Sequence, residues 1–512
     1  MISGMGPGFD PSPVVSLPVT SANVLTGARL GEDFVGDRPE PGTSTIHVMP
    51  RRIALIDLVG LSPALVGKHT PTIASFAREK GGLRTMRPTL PAVTTSVQAS
   101  MLTGVSPAEH GIVGNGWMDP STREVALWKQ SDGLVEAERL WDTARRRDPS
   151  VTCANICWWY AMHTTCDIVV TPRPIYKADG RKLPDCLTQP AGLRDRLTRA
   201  LGPFPLFRFW GPGADITSTR WIADAAIKVE RDASPDITLV YLPHLDYSLQ
   251  KLGPDHPDIP RHLKELDHEV SRLLEHFIAR GVEPILVSEY GIVPVTDAVA
   301  PNRVLREAGL LYWREEQGRE MVDPGTSAAF AVADHQVAHV RLGPDGEKRR
   351  DEIARLLAAT PGVETVLEGE SRAAAGLDHP RSGDLVLVAE RDRWFCHDWW
   401  LDEVKAPDYQ RTVDIHRKPG YDPRELFVDP AFRFPKVAIG SRLIRRKLGL
   451  RTLLDVIPTD ASLVRGSHGR IEQGLGWDGI LVADSAAWID DDHDGRVPCT
   501  AVRDLALATM FG

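Results

Sequence analysis

The sequence predicts an α/β fold, with a doubly wound, mostly parallel central sheet, helices on both faces and inserted small subdomains. Three short β-rich runs, each leading into an acidic residue, point to it: Ile53–Ile56 before Asp57, Ile237–Leu242 before Asp246, and Ile285–Ser288 before Glu289. Between the second and third runs, Leu263, Leu266, Val270, Leu273, Leu274 and Phe277 recur at helical spacing. The result is a strand–helix–strand unit, the connection that parallel strands require. Size and composition agree. At 512 residues with 42% hydrophobic and 25% charged side chains, the chain can bury a large core and is no disordered or fibrous polymer.

Taken in order, residues 1–48 are rich in Pro, Gly, Ser and Asp and read as a flexible leader before a catalytic domain over 49–512. They show no basic segment followed by an apolar stretch, so no secretory signal is expected and a cytoplasmic location is the default. Ile53–Ile56 is apolar without alternation, as in a strand buried on both faces. Residues 119–234, with many Trp, Pro and Gly, read as an insertion beside the sheet. A second insertion spans about 330–465 and includes a small strand–helix–strand subdomain at about 335–370. From 383 to 435 the chain reads as ordered, packed loops. No run approaches the roughly 18 apolar residues of a membrane span. The net charge of -9 argues against a protein built to neutralise nucleic-acid backbones. Six sparse cysteines without a CxxC pair read as reduced thiols near the core.

In doubly wound sheets ligands gather outside the carboxyl ends of the strands. Asp57, Asp246 and Glu289 are expected there, where three carboxylates would repel one another unless cations were present. The hydroxyl-rich segment Pro88–Ser96 leads into a helix expected to end at Gly104. A hydroxyl at a helix N-terminus is a cap or, beside a metal and an anionic substrate, a nucleophile. The residues alone leave both readings open.

The order and local sequence of these segments resemble the alkaline phosphatase superfamily, in its type I phosphodiesterase/nucleotide pyrophosphatase branch. The resemblance rests on ALIDLVGL with HTPTIASFAREKGGL, LPAVTTSVQASMLTGVSPAEHGIVGN, VYLPHLDYSLQKLGP, LVSEYGI and GSHGR, followed by the closing AVRDLALATMFG. It implies an alkaline-phosphatase-like fold with Thr94 as nucleophile. One divalent ion would be held by Asp57, Thr94, Glu289 and Tyr290, and another by Asp246, Gln250 and His468. In such enzymes the ions are commonly zinc.

The departures are equally specific. The resemblance implies His where Gln250 stands, Asp-His where Glu289-Tyr290 stands, and Asn where Val97 stands. Losing two imidazoles leaves an oxygen-rich ligand set that suits magnesium or manganese, or one ion in place of two. His244 is a substitute ligand if its strand extends that far. His335, His339 and His416 belong to no motif, and His110 and Asn115 are expected to fix loops. The basic run Arg442–Arg451 reads as a solvated helical face. Thr94 lacks the Cys or Ser context of a sulfatase, and its setting differs from that of a phosphoglycerate mutase.

The expected function is therefore hydrolysis of phosphodiester, nucleotide pyrophosphate or related phosphoester bonds through a phospho-threonine. The partner would be a small anionic phosphoester, with neither nucleic acid nor membrane. The alternative is a pseudoenzyme of the same fold that binds an anionic metabolite or a protein. Substrate identity and oligomeric state are not legible in the sequence.

Overall fold

The computed structural model describes residues 50–512, apart from 179–180, 451, 473–475, 485–494 and the side chain of Arg446. The expected leader at 1–48 lies outside the described residues.

The chain opens with strand β1 (Arg52–Leu58), helix α1 (Pro71–Glu79), β2 (Arg84–Arg87) and helix α2 (Thr94–Thr103). Six of the seven residues of β1 are buried, because parallel neighbours flank it and side chains cover both faces. All ten residues of α2 are buried, and Gly104, at φ 72°, closes it in the left-handed conformation expected of a helix stop.

The next strands are β3 (Cys153–Ile156), β4 (Ile168–Pro172) and β5 (Cys186–Gln189). Helix α3 (Ile216–Ala233) and β6 (Ile237–Leu242) follow, then α4 (His244–Leu252), α5 (Ile259–Ala279) and β7 (Val282–Val287). The helical spacing predicted between the second and third runs corresponds to α5, in which the six residues named, from Leu263 to Phe277, are all buried. A separate sheet contains β8 (Ala329–Asp334), β9 (Val337–Leu342), β10 (Val363–Leu367) and β11 (Leu385–Ala389), with α6 (Arg350–Ala358) between β9 and β10. The chain closes with α7 (Pro435–Lys447), β12 (Gly479–Val482), β13 (Val497–Pro498) and α8 (Ala501–Phe511).

The nine-stranded sheet has the order β13-β2-β12-β7-β1-β6-β3-β4-β5. The five strands β7-β1-β6-β3-β4 are parallel, and antiparallel strands flank them. Helices α3 and α5 pack on each other and on β6 and β7, while α8 packs on β1 and α2. Among the described residues no helix is long and apolar enough to cross a membrane.

Three readings need correction. Residues 119–234 are not an insertion beside the sheet, because β3, β4 and β5 are three of its strands. Strands as short as Cys-Ala-Asn-Ile carry too little apolar pattern to be recognised locally. The small subdomain begins at Ala329 and is a four-stranded antiparallel sheet in the order β8-β9-β11-β10. Strand β11 slots between β9 and β10, a long-range pairing that adjacent segments do not reveal. Finally, the strand before Asp246 ends at Leu242, so His244 and Asp246 lie on a helix. Two positions apart on a helix, they face different neighbours and share no face.

Candidate active site

Side chains from six separate stretches of chain meet at the carboxyl edge of the parallel strands. Asp57 is the penultimate residue of β1, in register with Tyr241 of β6 and Val287 of β7. Glu289 and Tyr290 follow the end of β7, and Asp246 and Gln250 lie one turn apart in α4. Gly60, at φ 82°, lets the chain leaving β1 pass against α4, where an added Cβ would sit 3.2 Å from the Asp246 backbone. His468 enters from a short strand, Gly466–Ser467, that pairs with Val293–Pro294 just beyond Tyr290.

Thr94 is the first residue of α2, and its Oγ1 shares a 2.9 Å hydrogen bond with the Tyr290 hydroxyl. The Tyr290 ring stacks on His468 at 3.7 Å and 10°. His468 donates from Nδ1 to the Ala92 carbonyl at 2.7 Å, so its bare Nε2 faces Asp246 Oδ1 at 3.7 Å. The other Asp246 oxygen accepts from the Gln250 amide at 2.8 Å, and Gln250 Oε1 accepts from the Tyr421 hydroxyl at 2.8 Å. All seven residues singled out from the sequence, Asp57, Thr94, Asp246, Gln250, Glu289, Tyr290 and His468, are thus neighbours. Thr94 is not sealed inside an apolar interior. It lines a cavity of about 1580 Å³, together with Asp246, Tyr290 and His335.

The electrostatics follow from burial. Asp57 lies well above the usual carboxylate range because it is desolvated, with the Glu289 charge as the next cause. Asp246 is raised for the same two reasons, and Glu289 is raised by desolvation. Desolvation likewise pushes the Tyr290 hydroxyl up and the His468 imidazole down. Asp57 Oδ1, Glu289 Oε2, Asp246 Oδ1 and His468 Nε2 are all buried without a hydrogen-bond partner. Three bare carboxylate oxygens and a bare imidazole nitrogen fit the donor set of divalent cations.

Sequence reasoning missed several members. Gln98 lies one turn beyond Thr94 and donates its amide to Asp57 Oδ2 at 3.2 Å and to Glu289 Oε1 at 2.7 Å. The i, i+4 spacing from Thr94 was the available signal. No asparagine stands at 97, but Asn115 reaches α2, where its Oδ1 accepts from the Thr95 amide at 3.2 Å. Asn115 is itself held by both Asp334 oxygens. His335 enters from the subdomain. It donates from Nδ1 to Asp334 Oδ1 at 2.7 Å, stacks on Tyr421 at 3.7 Å, and has a buried, unpartnered Nε2. Its φ of 59° is unusual for a non-glycine residue, a strain of the kind found where geometry serves function.

Other candidates stay structural. His339 binds the Val113 carbonyl and the Gly383 amide, and His110 binds Ser100 and the Ile112 amide. His416 lines the cavity wall. In the basic run Arg442 pairs with Asp455 and Arg445 is exposed, whereas Arg451 lies outside the described residues. All six cysteines are buried and free.

The profile of the type I phosphodiesterase / nucleotide pyrophosphatase family matches residues 53–422. An uncharacterized pyrophosphatase/phosphodiesterase of Schizosaccharomyces pombe is 23% identical over 262 residues, spanning 49% of this chain and 47% of that protein. The chain thus matches about half the length of this relative. Among solved structures, phosphonoacetate hydrolase from Sinorhizobium meliloti in complex with phosphonoformate is 16% identical, with a TM-score of 0.57 over 90% of this chain and 96% of that one. An inactive threonine-to-alanine variant of murine ectonucleotide pyrophosphatase / phosphodiesterase 5, in complex with AMP, is 14% identical, with a TM-score of 0.51 over 89% and 93%. At these identities the likeness to the solved structures is one of fold.

Proposed function

The chain belongs to the type I phosphodiesterase / nucleotide pyrophosphatase family, and from that premise we propose that it is a metal-dependent hydrolase of phosphodiester, nucleotide pyrophosphate or related phosphoester bonds, with Thr94 as nucleophile. The observation that carries this reading is the Thr94 hydroxyl, at the wall of an open cavity, beside three buried carboxylates that each have one oxygen without a partner. The inactive threonine-to-alanine form of the murine relative supports it.

Asp57, Glu289, Tyr290 and Thr94 would hold one divalent ion, and Asp246, Gln250 and His468 another. Such ions, when bound, lower the pKa of the attacking hydroxyl and offset charge developing on the phosphoryl oxygens. The chain's own residues do the rest. Thr94 stands at the N-terminus of α2, the end of a helix that favours a substrate anion. The hydrogen bond between the Tyr290 hydroxyl and Thr94 Oγ1 orients the nucleophile. In-line attack forms the Thr94 Oγ1–phosphorus bond as the bond to the leaving oxygen breaks; the Thr94 hydroxyl gives its proton to water, and the leaving oxygen takes one from water. A second water then cleaves phospho-threonine, which returns free Thr94 and a phosphate product. The donor set is mostly oxygen, which favours manganese or magnesium over zinc.

The competing reading, an anion-binding pseudoenzyme, draws on the Gln98 amide, which occupies the space between Asp57 and Glu289. Assay of bis-p-nitrophenyl phosphate and p-nitrophenyl phosphate against a panel of divalent ions separates the two. Turnover that disappears in Thr94→Ala is the expected result. Absence of turnover with every ion, together with thermal stabilisation by phosphate, would overturn hydrolysis in favour of binding.

A further inference from the structure

A second cluster of ligating side chains lies on the opposite side of α4 from Asp246. His244, in the first turn of α4, is 1% exposed, and neither of its ring nitrogens has a hydrogen-bond partner. An imidazole buried with two unmet polar atoms is costly. Facing it from α5 are His262, with its ring 6.2 Å from that of His244, and Glu265, one turn further along. One ligand atom from each of the three residues lies within 4.8 Å of the other two.

We propose that His244, His262 and Glu265 form a second metal site, separate from the carboxylate cluster around Thr94, that takes a late first-row divalent ion such as zinc or cobalt. Two imidazoles and a carboxylate are the donor set such ions prefer, whereas the oxygen-rich cluster around Thr94 suits harder ions. The three protein ligands leave a fourth position to water or to the Ser248 hydroxyl, which is 3.1 Å from His262 Nδ1.

The neighbouring charges are compatible. Glu265 Oε2 lies 3.5 Å from His262 Nδ1, while its other oxygen pairs with Arg261 at 3.2 Å. Arg261 also reaches His262 Nε2 at 3.1 Å, but its side chain is 61% exposed and can swing into solvent when an ion arrives. Asp215 adds a negative charge near His244. Because α4 carries His244 on one side and Asp246 with Gln250 on another, an ion here would clip α4 to α5 and steady the Asp246 end of the site around Thr94.

The test uses the full-length chain stripped with EDTA and titrated with cobalt chloride, followed by the cobalt ligand-field absorption, bound metal per chain and thermal midpoint. No substrate is present, so the outcome does not depend on whether Thr94 turns over. The double variant His262→Ala/Glu265→Gln is expected to bind one cobalt fewer than the parent and to lose the imidazole-type absorption band. The variant Asp246→Asn/His468→Ala is expected to keep that band. Equal uptake and equal thermal shift in the parent and the α5 variant, with both chains folded by circular dichroism, would overturn the proposal. Should the double variant fold poorly, Glu265→Gln alone, at a partly exposed position, is read the same way, with cobalt affinity expected to fall at least tenfold.

Discussion

Replacing Gln98 with alanine tests how the carboxylate cluster is kept together. In the parent the Gln98 amide bridges Asp57 and Glu289, while its oxygen accepts from the Trp159 amide at 2.8 Å. Hydrogen bonds to charged groups contribute about 1.5–3 kcal/mol each and a neutral one about 1 kcal/mol. With divalent ions chelated, Gln98→Ala should therefore destabilise the fold by on the order of 4–7 kcal/mol near neutral pH. The pH dependence has a definite sign. Burial raises the folded-state pKa of both Asp57 and Glu289, so the folded protein holds their protons more tightly than the unfolded chain. Stability from this source is fully present below the ordinary carboxylate range and declines as pH rises through the raised values. Once the bridging amide is gone, a shared proton can take its place, so the loss should be larger at about pH 8 than at about pH 5.5. Manganese should restore more stability to the variant than to the parent, because alanine opens the space the amide filled. Urea unfolding followed by tryptophan fluorescence, in EDTA and then with manganese, reads all three effects. A variant within about 1 kcal/mol of the parent in EDTA, or equal stabilisation of both by manganese, would refute the bridging role.

The parent should also lose stability as pH falls from about 6.5 towards 3, and His110→Gln should flatten that loss. His110 is pushed down to about 3 by burial and then by Arg139, so its folded form stays neutral while the unfolded chain takes up a proton. Urea midpoints of the two chains compared from about pH 7 to pH 4.5 check it. Lys418→Met should destabilise by about 3–5 kcal/mol, because it removes the buried ammonium 2.8 Å from both Asp422 and Glu425 and leaves Asp422 to Arg424 and Gln410, and Glu425 to Trp210 and the Asp414 amide. Since the same loop carries Tyr421, phosphoester turnover should drop as well, measured as kcat at saturating metal.

The legible parts of this fold were those whose chemistry is local. Strands β1, β6 and β7 announce themselves because burial on both faces demands unbroken apolar runs. Helix α2 was legible from the hydroxyl-rich entry and from Gly104, whereas Thr94 was singled out within it by the family resemblance and not by the segment itself. What stayed hidden depends on long-range pairing. Nothing in Cys-Ala-Asn-Ile marks β3 as a sheet strand until β6 lies beside it. His335 and Tyr421 join the site through their stacking on each other and their contacts with His468 and Gln250, contacts that span much of the chain. Gln98 was missed for a different reason. A buried glutamine on a helix is usually a satisfied amide, and only the meeting of two carboxylates gives it a special task.

The same meeting explains why the two halves of the site are unequal. At the two positions where an expected imidazole is missing, this chain has a hydroxyl, Tyr290, or an amide, Gln250, whereas His468 is retained. Tyr290 shares a bond with Thr94, and Gln250 donates to Asp246. With Gln98 added, the Asp57–Glu289 pair already has an internal partner. The Asp246–His468 pair does not, because its facing oxygen and nitrogen are both bare at 3.7 Å, a span that one ion can bridge. One divalent ion should therefore bind between Asp246 and His468 at least tenfold more tightly than any ion at Asp57 and Glu289. A manganese titration by calorimetry should be biphasic. Asp246→Asn should abolish its tight phase and Asp57→Asn should spare it, whereas Gln250→His should tighten it by supplying an imidazole. Two equivalent phases in the parent, or loss of the tight phase in Asp57→Asn, would show that the amide bridge does not stand in for a cation.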